Sequence, residues 1–430
     1  MTISQYFDST QFINDESIPS VFANLSLHTE NPISNVYAHR FFRTQFFKLL
    51  ENIDDGLILI NDPLGSRKFG KETSELSCEI TIYNLSTYTK IALGGSNGSA
   101  QAYIDGLWTS DNPTSLIRIL VRNRKVIDSM ESGLSSLAQA ALKVWHSFNR
   151  NSKQGSKKNI AAHYDLGNDF FKLFLDERMM YSSGLYQQGD DLNSASERKL
   201  QRICSSLEIN NNDHVIEIGS GWGGFACFAA KTTGCKVTTV TISKEQYLEA
   251  LKQVEQQGLQ DQVTVKLQDY RDIEGQYDKL VSIEMIEAVG HQYLDGYFEK
   301  INSLLSDNGK ALIQAIVIDN AQYERALKEV DYIKRYIFPG SFIPCYDIIE
   351  KSSQRGNLVI DDIFDMGLSY AQTLRDWRKR FYQNLEAIKA QGDYDSKFLR
   401  MWEFYLCYCE GGFDEQAISV GQISFSKKLD

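Results

Sequence analysis

The stretch from Val215 to Phe225 reads VIEIGSGWGGF, and it decides the fold. Four mainly apolar residues with the character of a short strand lead directly into a run of glycines, and an apolar helical pattern, FACFAA, follows. A strand, a glycine turn and a helix in this order form a nucleotide-binding βα unit. Glycines are needed because the backbone turns tightly and lets a ligand approach main-chain N–H groups with no Cβ in the way.

The spacing of the glycines narrows the choice of ligand. Gly219, Gly221, Gly223 and Gly224 give the pattern G-x-G-x-G-G, which differs from the G-x-G-x-x-G of dinucleotide enzymes. With Glu217 two residues ahead, the pattern reads better as the E-x-G-x-G-x-G loop of S-adenosylmethionine-dependent methyltransferases. The alternatives are a glycine turn with a purely structural role and a nicotinamide or flavin site.

Strand and helix patterns alternate after the glycine loop. Strands are predicted at 236–242, 263–268, 279–285 and 311–318, with helices from Ser243 and through Tyr297 between them. This alternation predicts an α/β fold of the Rossmann-like class I methyltransferase type, with a mainly parallel sheet. A helical insertion at 321–335 and the loop YIFPGSFIPCYD are expected to lie over the active site. Helical stretches at 371–391 and 396–409 and a last strand, SVGQISFS, complete this half.

The first 150 residues have a different pattern and predict a smaller α+β domain. An amphipathic helix is predicted at 35–53, and β-rich runs follow it: LILIND, CEITIYN and KIALGG. A further helix is expected to begin after Asn112, because Pro113 suits a first helical turn. The run NRNSKQGSKKN has the composition of an exposed linker. The prediction is therefore an N-terminal domain over 1–150 and a catalytic domain over 151–430.

Composition excludes several classes of protein. The 430 residues are 42% hydrophobic and 23% charged, and no apolar run approaches the roughly 20 residues of a membrane span. The first twenty residues lack the basic start and apolar core of a signal peptide, and seven cysteines without regular spacing fit reduced thiols in the cytoplasm. No metal site is expected. The net charge of −11 argues against a nucleic-acid partner, since such partners need a basic surface.

Contact with a membrane would have to be local in so acidic a chain. One candidate is the aromatic helix face near Phe41, and a second is a concentration of basic residues. The basic residues are Arg118, Arg122, Arg124, Lys125, Lys143, Arg150, Lys153, Lys157 and Lys158. A helix docked on its own domain and a solvated linker are the alternatives.

Eight blocks of sequence carry a resemblance to a known family. They are HYDLGNDFFKLFLD (163–176), MMYSSGLY (179–186), EIGSGWGGFA (217–226), TISKEQ (241–246), IEMIEAVGHQYLDGYF (283–298), YIFPG (336–340), TLRDWRKRF (373–381) and YLCYCEGGF (405–413). In these blocks the chain resembles the cyclopropane-fatty-acyl-phospholipid synthases and mycolic acid cyclopropane synthases, loosely over its whole length and closely over 159–425. The resemblance implies an enzyme that adds the methyl carbon of S-adenosylmethionine to a cis double bond of a phospholipid acyl chain, forming a cyclopropane ring.

The resemblance also implies cofactor-binding residues, each at a matching position. Tyr181 and Ser182 match family residues near the methionine end of the cofactor, and the loop beneath the cofactor is matched by Glu217, Gly219, Gly221 and Gly223. The positions near the ribose are matched by Thr241, Ile242 and Gln246, and those beside the adenine by Asp269 and Tyr270.

The catalytic residues implied by the resemblance match the family only in part. In the family the base is thought to be a bound bicarbonate; Glu287 and Tyr370 match residues that hold it, and Cys409 matches a cysteine of the late motif. Ser183 stands where many members have cysteine, and Gln314 where they have histidine. Glutamine takes no proton near neutral pH, so Glu287 becomes the expected anchor of the base, and the presence of bicarbonate is left open.

Several alternatives stay open at this point. Glu287, Tyr370 and Cys409 could each be structural, as could His163 and His291 in other family blocks. The product could be a methylene- or methyl-branched chain in place of the ring. The chain could instead methylate carbon or nitrogen of a small molecule, or bind lipid or cofactor without catalysis. The expected partner is an unsaturated phospholipid, met transiently by a cytoplasmic protein at the inner face of the membrane, and a homodimer is compatible with the sequence.

Overall fold

The computed structural model describes residues 18–23, 36–130, 166–392 and 394–428. The helices are α1 (Val36–Leu50), α2 (Ser86–Ile104), α3 (Pro113–Arg122), α4 (Arg124–Met130), α5 (Asn168–Lys172), α6 (Leu192–Ser206), α7 (Gly224–Thr233), α8 (Lys244–Gln256), α9 (Leu294–Leu304), α10 (Asn320–Lys328), α11 (Tyr346–Arg355), α12 (Gly367–Gln383), α13 (Leu385–Ala390) and α14 (Ser396–Asp414). The strands are β1 (Leu57–Asp62), β2 (Gly65–Gly70), β3 (Ser77–Ile82), β4 (Trp108–Ser110), β5 (His214–Ile218), β6 (Lys236–Thr241), β7 (Val263–Leu267), β8 (Tyr277–Ile283), β9 (Leu305–Ile318), β10 (Leu358–Asp365) and β11 (Ile418–Lys427).

The second half of the chain forms a seven-stranded sheet in the order β10-β11-β9-β8-β5-β6-β7. Strands β9, β8, β5, β6 and β7 run parallel to one another, and β11 is antiparallel to both β9 and β10. The chain builds outward from β5 through β6 to β7 and then returns to place β8 on the other side of β5. Ligands of open α/β sheets bind where the strand order reverses in this way. The predicted Rossmann-like fold with a mainly parallel sheet is confirmed.

The N-terminal half forms a four-stranded sheet in the order β2-β1-β3-β4, with β1 parallel to β3 and the other pairs antiparallel. The predicted strands LILIND and CEITIYN are present, and α3 begins at Pro113 as predicted, with the side chain of Asn112 capping it through the N–H of Ser115. The mixed sheet and its helices agree with the predicted α+β character of this half.

The run KIALGG was predicted wrongly as a β-rich run, because it lies inside helix α2. Tyr88, Ile91, Gly98 and Ala102 are buried at spacings of three to seven residues, which is a helical pattern. Gly95 interrupts the helix with φ 56° and ψ −141°, and this kink obscured the helical period.

Two elements near the end of the chain were not predicted. Strand β10 occupies one edge of the large sheet, and most of its residues are exposed or half-buried, so it lacks the alternation of buried and exposed residues that marks a strand. Helix α11 begins at Tyr346, at the end of the predicted loop YIFPGSFIPCYD, and no helix was predicted there. The helical insertion was predicted correctly, as α10 and a π-helical turn at Ile333–Ile337.

The two halves share one hydrophobic core. The ring of Tyr103 in α2 packs 5.2 Å from that of Phe404 in α14. The buried carboxyl group of Glu403 accepts hydrogen bonds from the hydroxyls of Ser20, Tyr103 and Tyr382, which lie in three separate segments. The predicted division at residue 150 lies outside the described residues and stays a prediction.

The residues predicted for membrane contact divide into different environments. On α1, Phe47 is buried, whereas Phe41 is 58% exposed. Arg118 and Arg122 both donate to the carboxylate of Glu415, at 2.7 Å each, so their charges are neutralised within the fold. Of the other basic residues, Lys143, Arg150, Lys153, Lys157 and Lys158 lie outside the described residues. Within the part of the chain that the structure describes, no helix combines the length and apolarity needed to cross a bilayer.

Candidate active site

A cavity of about 590 Å³ lies at the carboxyl ends of the central parallel strands. Its floor consists of the glycine loop after β5, the end of β6 and the segment after β8. Its sides come from α12, α14 and the segment around Phe338, and residues of the N-terminal half form its far wall. The cavity therefore lies at the topological switch point, where both halves of the chain meet.

The glycine loop leaves space for a ligand. Gly221 has φ +48°, and a Cβ placed on it would meet no atom within 4 Å, although the residue lines the cavity. Gly223, in contrast, faces helix α8, where an added Cβ would lie 3.3 Å from Ala250. Gly221 thus keeps open a cradle that a side chain would fill, and Gly223 allows the loop to pack closely on a helix.

Glu217 lies at the base of this cradle. Its Oε2 accepts a hydrogen bond from the hydroxyl of Thr239 at 2.6 Å, and burial raises its pKa to about 8. The charge of the buried Lys199 nearby partly opposes that rise.

The end of β6 offers hydroxyl and amide groups where ribose was expected. The hydroxyl of Thr241 donates to Oε1 of Gln246 at 2.8 Å, which fixes the amide of Gln246 at the start of α8. After β7, Asp269 accepts from the side chain of Arg271 through both carboxylate oxygens and lines the cavity beside Tyr270. Ile242 adds an apolar surface. Neutral groups, one carboxylate and an aromatic ring suit a nucleoside.

Tyr181 and Ser182 form the opposite end of the cofactor site. The hydroxyl of Tyr181 donates to that of Tyr405 at 3.0 Å, and the hydroxyl of Ser182 accepts from Nζ of Lys199 at 2.7 Å. The ring of Tyr181 lies 5.3 Å from that of Trp377. All of the predicted cofactor residues line the cavity except Gly223. Their arrangement fits S-adenosylmethionine, with adenosine toward β6 and β7 and the methionine end toward Tyr181.

The predicted catalytic residues converge on Glu284, a residue that the sequence reading missed. Its Oε1 accepts hydrogen bonds from the main-chain N–H of Ser183 at 2.9 Å and from Nε2 of Gln314 at 2.8 Å. Its Oε2 accepts from the hydroxyl of Tyr370 at 2.7 Å. Three of the five predicted catalytic residues are therefore donors to one carboxylate.

Ser183 and Gln314 do not reach the cavity themselves. Both are fully buried, and only Glu284 and Tyr370 of this group line the cavity. The hydroxyl of Ser183 donates to the carbonyl of Gly184, and the amide oxygen of Gln314 accepts from Nε2 of Gln422 at 3.0 Å. Gln314 thus presents its amide nitrogen to Glu284. A signal for Glu284 was present in the sequence, as a carboxylate directly after a buried parallel strand and three residues before Glu287.

Glu287 lines the same cavity but differs from Glu284 in its hydrogen bonds and in its protonation. Its Oε1 accepts from the main-chain N–H of Ile316 at 2.6 Å, while no described residue donates to its buried Oε2. Burial first, and then the negative charge of Glu284, raise the pKa of Glu287 to about 8. Near neutral pH this carboxyl group is therefore largely protonated.

The remaining predicted residues have less direct positions. Cys409 lines the cavity, and burial raises the pKa of its thiol far above neutral pH, so the sulfur remains a thiol. His291 is exposed, with its ring 6.4 Å from that of Phe342. His163 lies outside the described residues.

The fold and cavity define the class of this protein as an S-adenosylmethionine-dependent methyltransferase. The model of the mycolic acid cyclopropane synthetase family matches residues 151–423. The chain belongs to this family.

Two relatives resemble the chain over most of its length. The tuberculostearic acid methyltransferase UfaA1 of Mycobacterium tuberculosis is 35% identical over 342 residues, covering 77% of this chain and 79% of the relative. The cyclopropane-fatty-acyl-phospholipid synthase of Escherichia coli (strain K12) is 32% identical over 379 residues, covering 88% of this chain and 95% of the relative.

Solved structures are similar over the catalytic half. The mycolic acid cyclopropane synthase CmaA1, complexed with SAH and CTAB, has a TM-score of 0.59 at 25% identity and covers 63% of this chain and 98% of its own. Coclaurine N-methyltransferase has a TM-score of 0.59 at 19% identity and covers 76% of this chain and 98% of its own. At this identity the likeness concerns the fold alone. The chain is an S-adenosylmethionine-dependent methyltransferase of this family.

Proposed function

We propose that this chain transfers the methyl carbon of S-adenosylmethionine to a cis double bond within an acyl chain of an unsaturated phospholipid, forming a cyclopropane ring. One observation carries the proposal: the cavity lined by the predicted cofactor residues and by Glu284 and Tyr370 is also lined by apolar residues of the N-terminal half, so it extends beyond the cofactor site. A small polar acceptor has no use for such an extension, whereas an alkyl chain with its double bond in mid-chain needs one.

The extension is mainly apolar, as an acyl chain requires. Its walls include residues of α3, β9 and α14. The apolar residues are Trp108, Leu116, Ile117, Leu120, Val121, Ile316, Ile318, Phe404 and Ile418. Burying an alkyl chain there contributes about 0.8 kcal/mol per methylene group, enough to hold a lipid by its tail.

The rim of the cavity is polar. Arg124 donates to the neutral amide oxygen of Gln322 at 2.6 Å, whereas Arg325 forms ion pairs with Asp128 at 2.6 Å and Glu329 at 2.8 Å, and all five side chains lie on the cavity wall. Arg124 is therefore the better candidate for a phosphate ligand. Guanidinium groups recognise phosphate with paired hydrogen bonds. We propose that a phospholipid head group stays at this rim while its tail enters, which requires transient contact with a membrane surface.

For this reaction the side chains must position the double bond and stabilise a positive charge. Bound S-adenosylmethionine supplies an electrophilic methyl group on its sulfonium. An isolated alkene is a weak nucleophile, so the cavity must hold the double bond close and in line. The rings that line the cavity offer π faces to the positive charge that forms on the acyl chain. They include the rings of Tyr181, Phe338, Tyr370, Phe404, Tyr405 and Phe413.

The names of the relatives support an acyl-chain acceptor and leave two products to compare. The relative from Escherichia coli is named for a cyclopropane product on a phospholipid, and the one from Mycobacterium tuberculosis for tuberculostearic acid. A ring and an exocyclic methylene group add the same atoms to the chain, because both gain one carbon and two hydrogens.

The test is an assay with pure protein, labelled S-adenosylmethionine and vesicles of unsaturated phospholipid, run beside free fatty acid and a small secondary amine. We expect label in the phospholipid acyl chains, with ring protons in the proton NMR spectrum of the released chains. Olefinic methylene protons would instead identify a methylene product. Label only in the amine would refute the lipid proposal and favour a small-molecule methyltransferase. Label in none of the acceptors would refute it as well.

A further inference from the structure

We propose that the side chain of Glu284 is the base of this enzyme, and that it occupies the place expected for a bound bicarbonate. The inference rests on the proposed function, since a base is needed only if the acyl chain must lose a proton. The structure places the carboxylate by three hydrogen bonds from Ser183, Gln314 and Tyr370.

These donors do not fit bicarbonate as a separate ligand. The N–H of Ser183 and the amide nitrogen of Gln314 both point at Oε1 of Glu284, and the hydroxyl of Tyr370 points at its Oε2. An additional anion in the same place would have to displace a carboxylate that is attached to the chain. It would also lie against two carboxyl groups, because Glu287 lines the same cavity. The anion site is already filled by the protein.

The backbone at this position supports a functional role. Glu284 has φ +49°, in the left-handed region where residues with a Cβ are disfavoured by roughly 1–2 kcal/mol. Its N–H donates to the carbonyl of Gln314 at 2.7 Å, which fixes the turn at the end of β8. A non-glycine residue kept in such a conformation at a cavity wall is a candidate for function. Glycine would suit this backbone better, yet the chain places a carboxylate there.

The surroundings of Glu284 suit a general base. Burial raises its pKa, and the hydrogen bonds from Tyr370, Ser183 and Gln314 and the charge of Lys199 oppose that rise. The other ionisable groups that interact with Glu284 include Glu287, Tyr370 and Tyr405. A raised pKa makes a carboxylate a stronger base, and the three hydrogen bonds hold it in place to take a proton.

The proton step balances without a further reactant. After the methyl carbon has joined one alkene carbon, the neighbouring carbon carries the positive charge. A C–H bond of the new methyl group breaks, its electron pair closes the third side of the ring, and the proton passes to a carboxylate oxygen of Glu284. No oxidation or reduction occurs, and the proton leaves afterwards to solvent.

Glu287 is less suited to this role, although the sequence pointed to it. Its Oε1 is held by the N–H of Ile316, and its raised pKa of about 8 leaves it largely protonated near neutral pH. A carboxyl group that is already protonated does not act as a base. The charge of Glu284 is one cause of that rise, so the two groups divide the roles of ionised base and neutral neighbour.

The experiment compares wild type with Glu284→Gln and Glu284→Gly, assayed with and without added bicarbonate in buffers stripped of carbon dioxide. We expect wild-type turnover to ignore bicarbonate and Glu284→Gln to lose roughly 10²- to 10⁴-fold, the usual effect of removing a base. Glu284→Gly should lose as much and regain part of it with bicarbonate or formate, because glycine suits the backbone and leaves the three donors facing an empty space. Glu208→Gly is the matched control, since Glu208 has φ +53°, is exposed and does not line the cavity.

A second measurement does not depend on turnover. NMR with ¹³C-bicarbonate should detect saturable binding to Glu284→Gly and none to wild type or Glu208→Gly. Wild-type turnover that requires bicarbonate, near-normal turnover of Glu284→Gln, or equal bicarbonate binding by wild type and Glu284→Gly would each overturn the proposal. If wild type modifies no lipid at all, the proposed function fails first, and the binding comparison still decides whether Glu284 fills the anion site.

Discussion

The hydroxyl oxygen of Tyr370, in the first turn of α12, lies 2.7 Å from Oε2 of Glu284 at the end of β8. Burial and the adjacent carboxylate raise the pKa of Tyr370, so its hydroxyl keeps its proton and acts as a donor. A hydrogen bond to a carboxylate favours the charged form and lowers its pKa. This contact therefore adjusts the pH at which Glu284 can act as a base.

Replacing Tyr370 with phenylalanine should move the pH dependence of turnover. Loss of the donor raises the pKa of Glu284, so the acidic limb of the kcat/KM profile should shift to higher pH. A hydrogen bond to a charged group contributes about 1.5–3 kcal/mol, which corresponds to roughly one to two pH units. Tyr323→Phe serves as the control, because Tyr323 lies on α10 and does not line the cavity. If the acidic limb of the kcat/KM profile did not shift in Tyr370→Phe, this tyrosine would have no influence on the pKa of the base.

Gly221→Val should abolish cofactor binding and leave most of the fold intact. The valine side chain would enter the open space beneath the cofactor, and φ +48° adds backbone strain. We expect the affinity for S-adenosylhomocysteine, measured by calorimetry, to fall at least about 100-fold, or 2.7 kcal/mol. Gly189→Val carries similar strain at φ +85° with no neighbour within 4 Å and lies outside the cavity, so it should bind normally. Unchanged affinity in Gly221→Val would refute this placement of the cofactor.

Glu287→Gln should make the protein less sensitive to rising pH. The pKa of Glu287 rises from 4.5 to about 8 on folding, so between these values the folded chain holds a proton that the unfolded chain has released. The free energy of unfolding therefore falls as pH rises, by at most about 1.4 kcal/mol per pH unit from this group. Urea unfolding at several pH values should show a smaller slope in the variant. Glu299→Gln, at an exposed position on α9, should keep the wild-type slope. Equal slopes in all three proteins would contradict the neutral state of Glu287.

The exposed aromatic face of α1 should contribute to vesicle binding. Tyr37 is 91% exposed and Phe41 58% exposed, while Arg118 and Arg122 are paired within the fold. Replacing both aromatic residues with serine should reduce co-sedimentation with anionic vesicles at physiological salt. Leu248→Ser removes an exposed apolar residue from α8 and should not reduce it. Equal sedimentation of all variants would place the contact elsewhere. Binding that weakens with salt would indicate a remaining electrostatic share.

The sequence predicted the catalytic half well, because local patterns determine it. The strand of Val215 to Ile218 and the glycines after it form the βα unit that was predicted, and strands of β-branched residues form the parallel sheet. The resemblance to the family also pointed to cofactor residues that, apart from Gly223, line one cavity. Where local patterns were mixed, as around Gly95 in α2, the prediction failed.

Glu284 was missed for a different reason. Its role depends on Ser183, Gln314 and Tyr370, which lie about 30 to 100 residues away and meet only in the folded chain. Reading matched positions one at a time revealed two residues that departed from the family, without revealing that both face one carboxylate. The same limit applies to Arg118 and Arg122, whose partner Glu415 lies almost 300 residues further on.

The shared core described for the two halves has a consequence for how acceptor preference can change. The cofactor side of the cavity belongs to the sheet, whereas Trp108 and Leu120 of the far wall belong to the N-terminal half. If the proposed function holds, substitutions at these N-terminal positions should alter which tail is accepted and leave the cofactor residues in place. Part of the surface that selects the acceptor is thus encoded apart from the residues that hold the methyl donor, and that part can vary while the donor site stays constant.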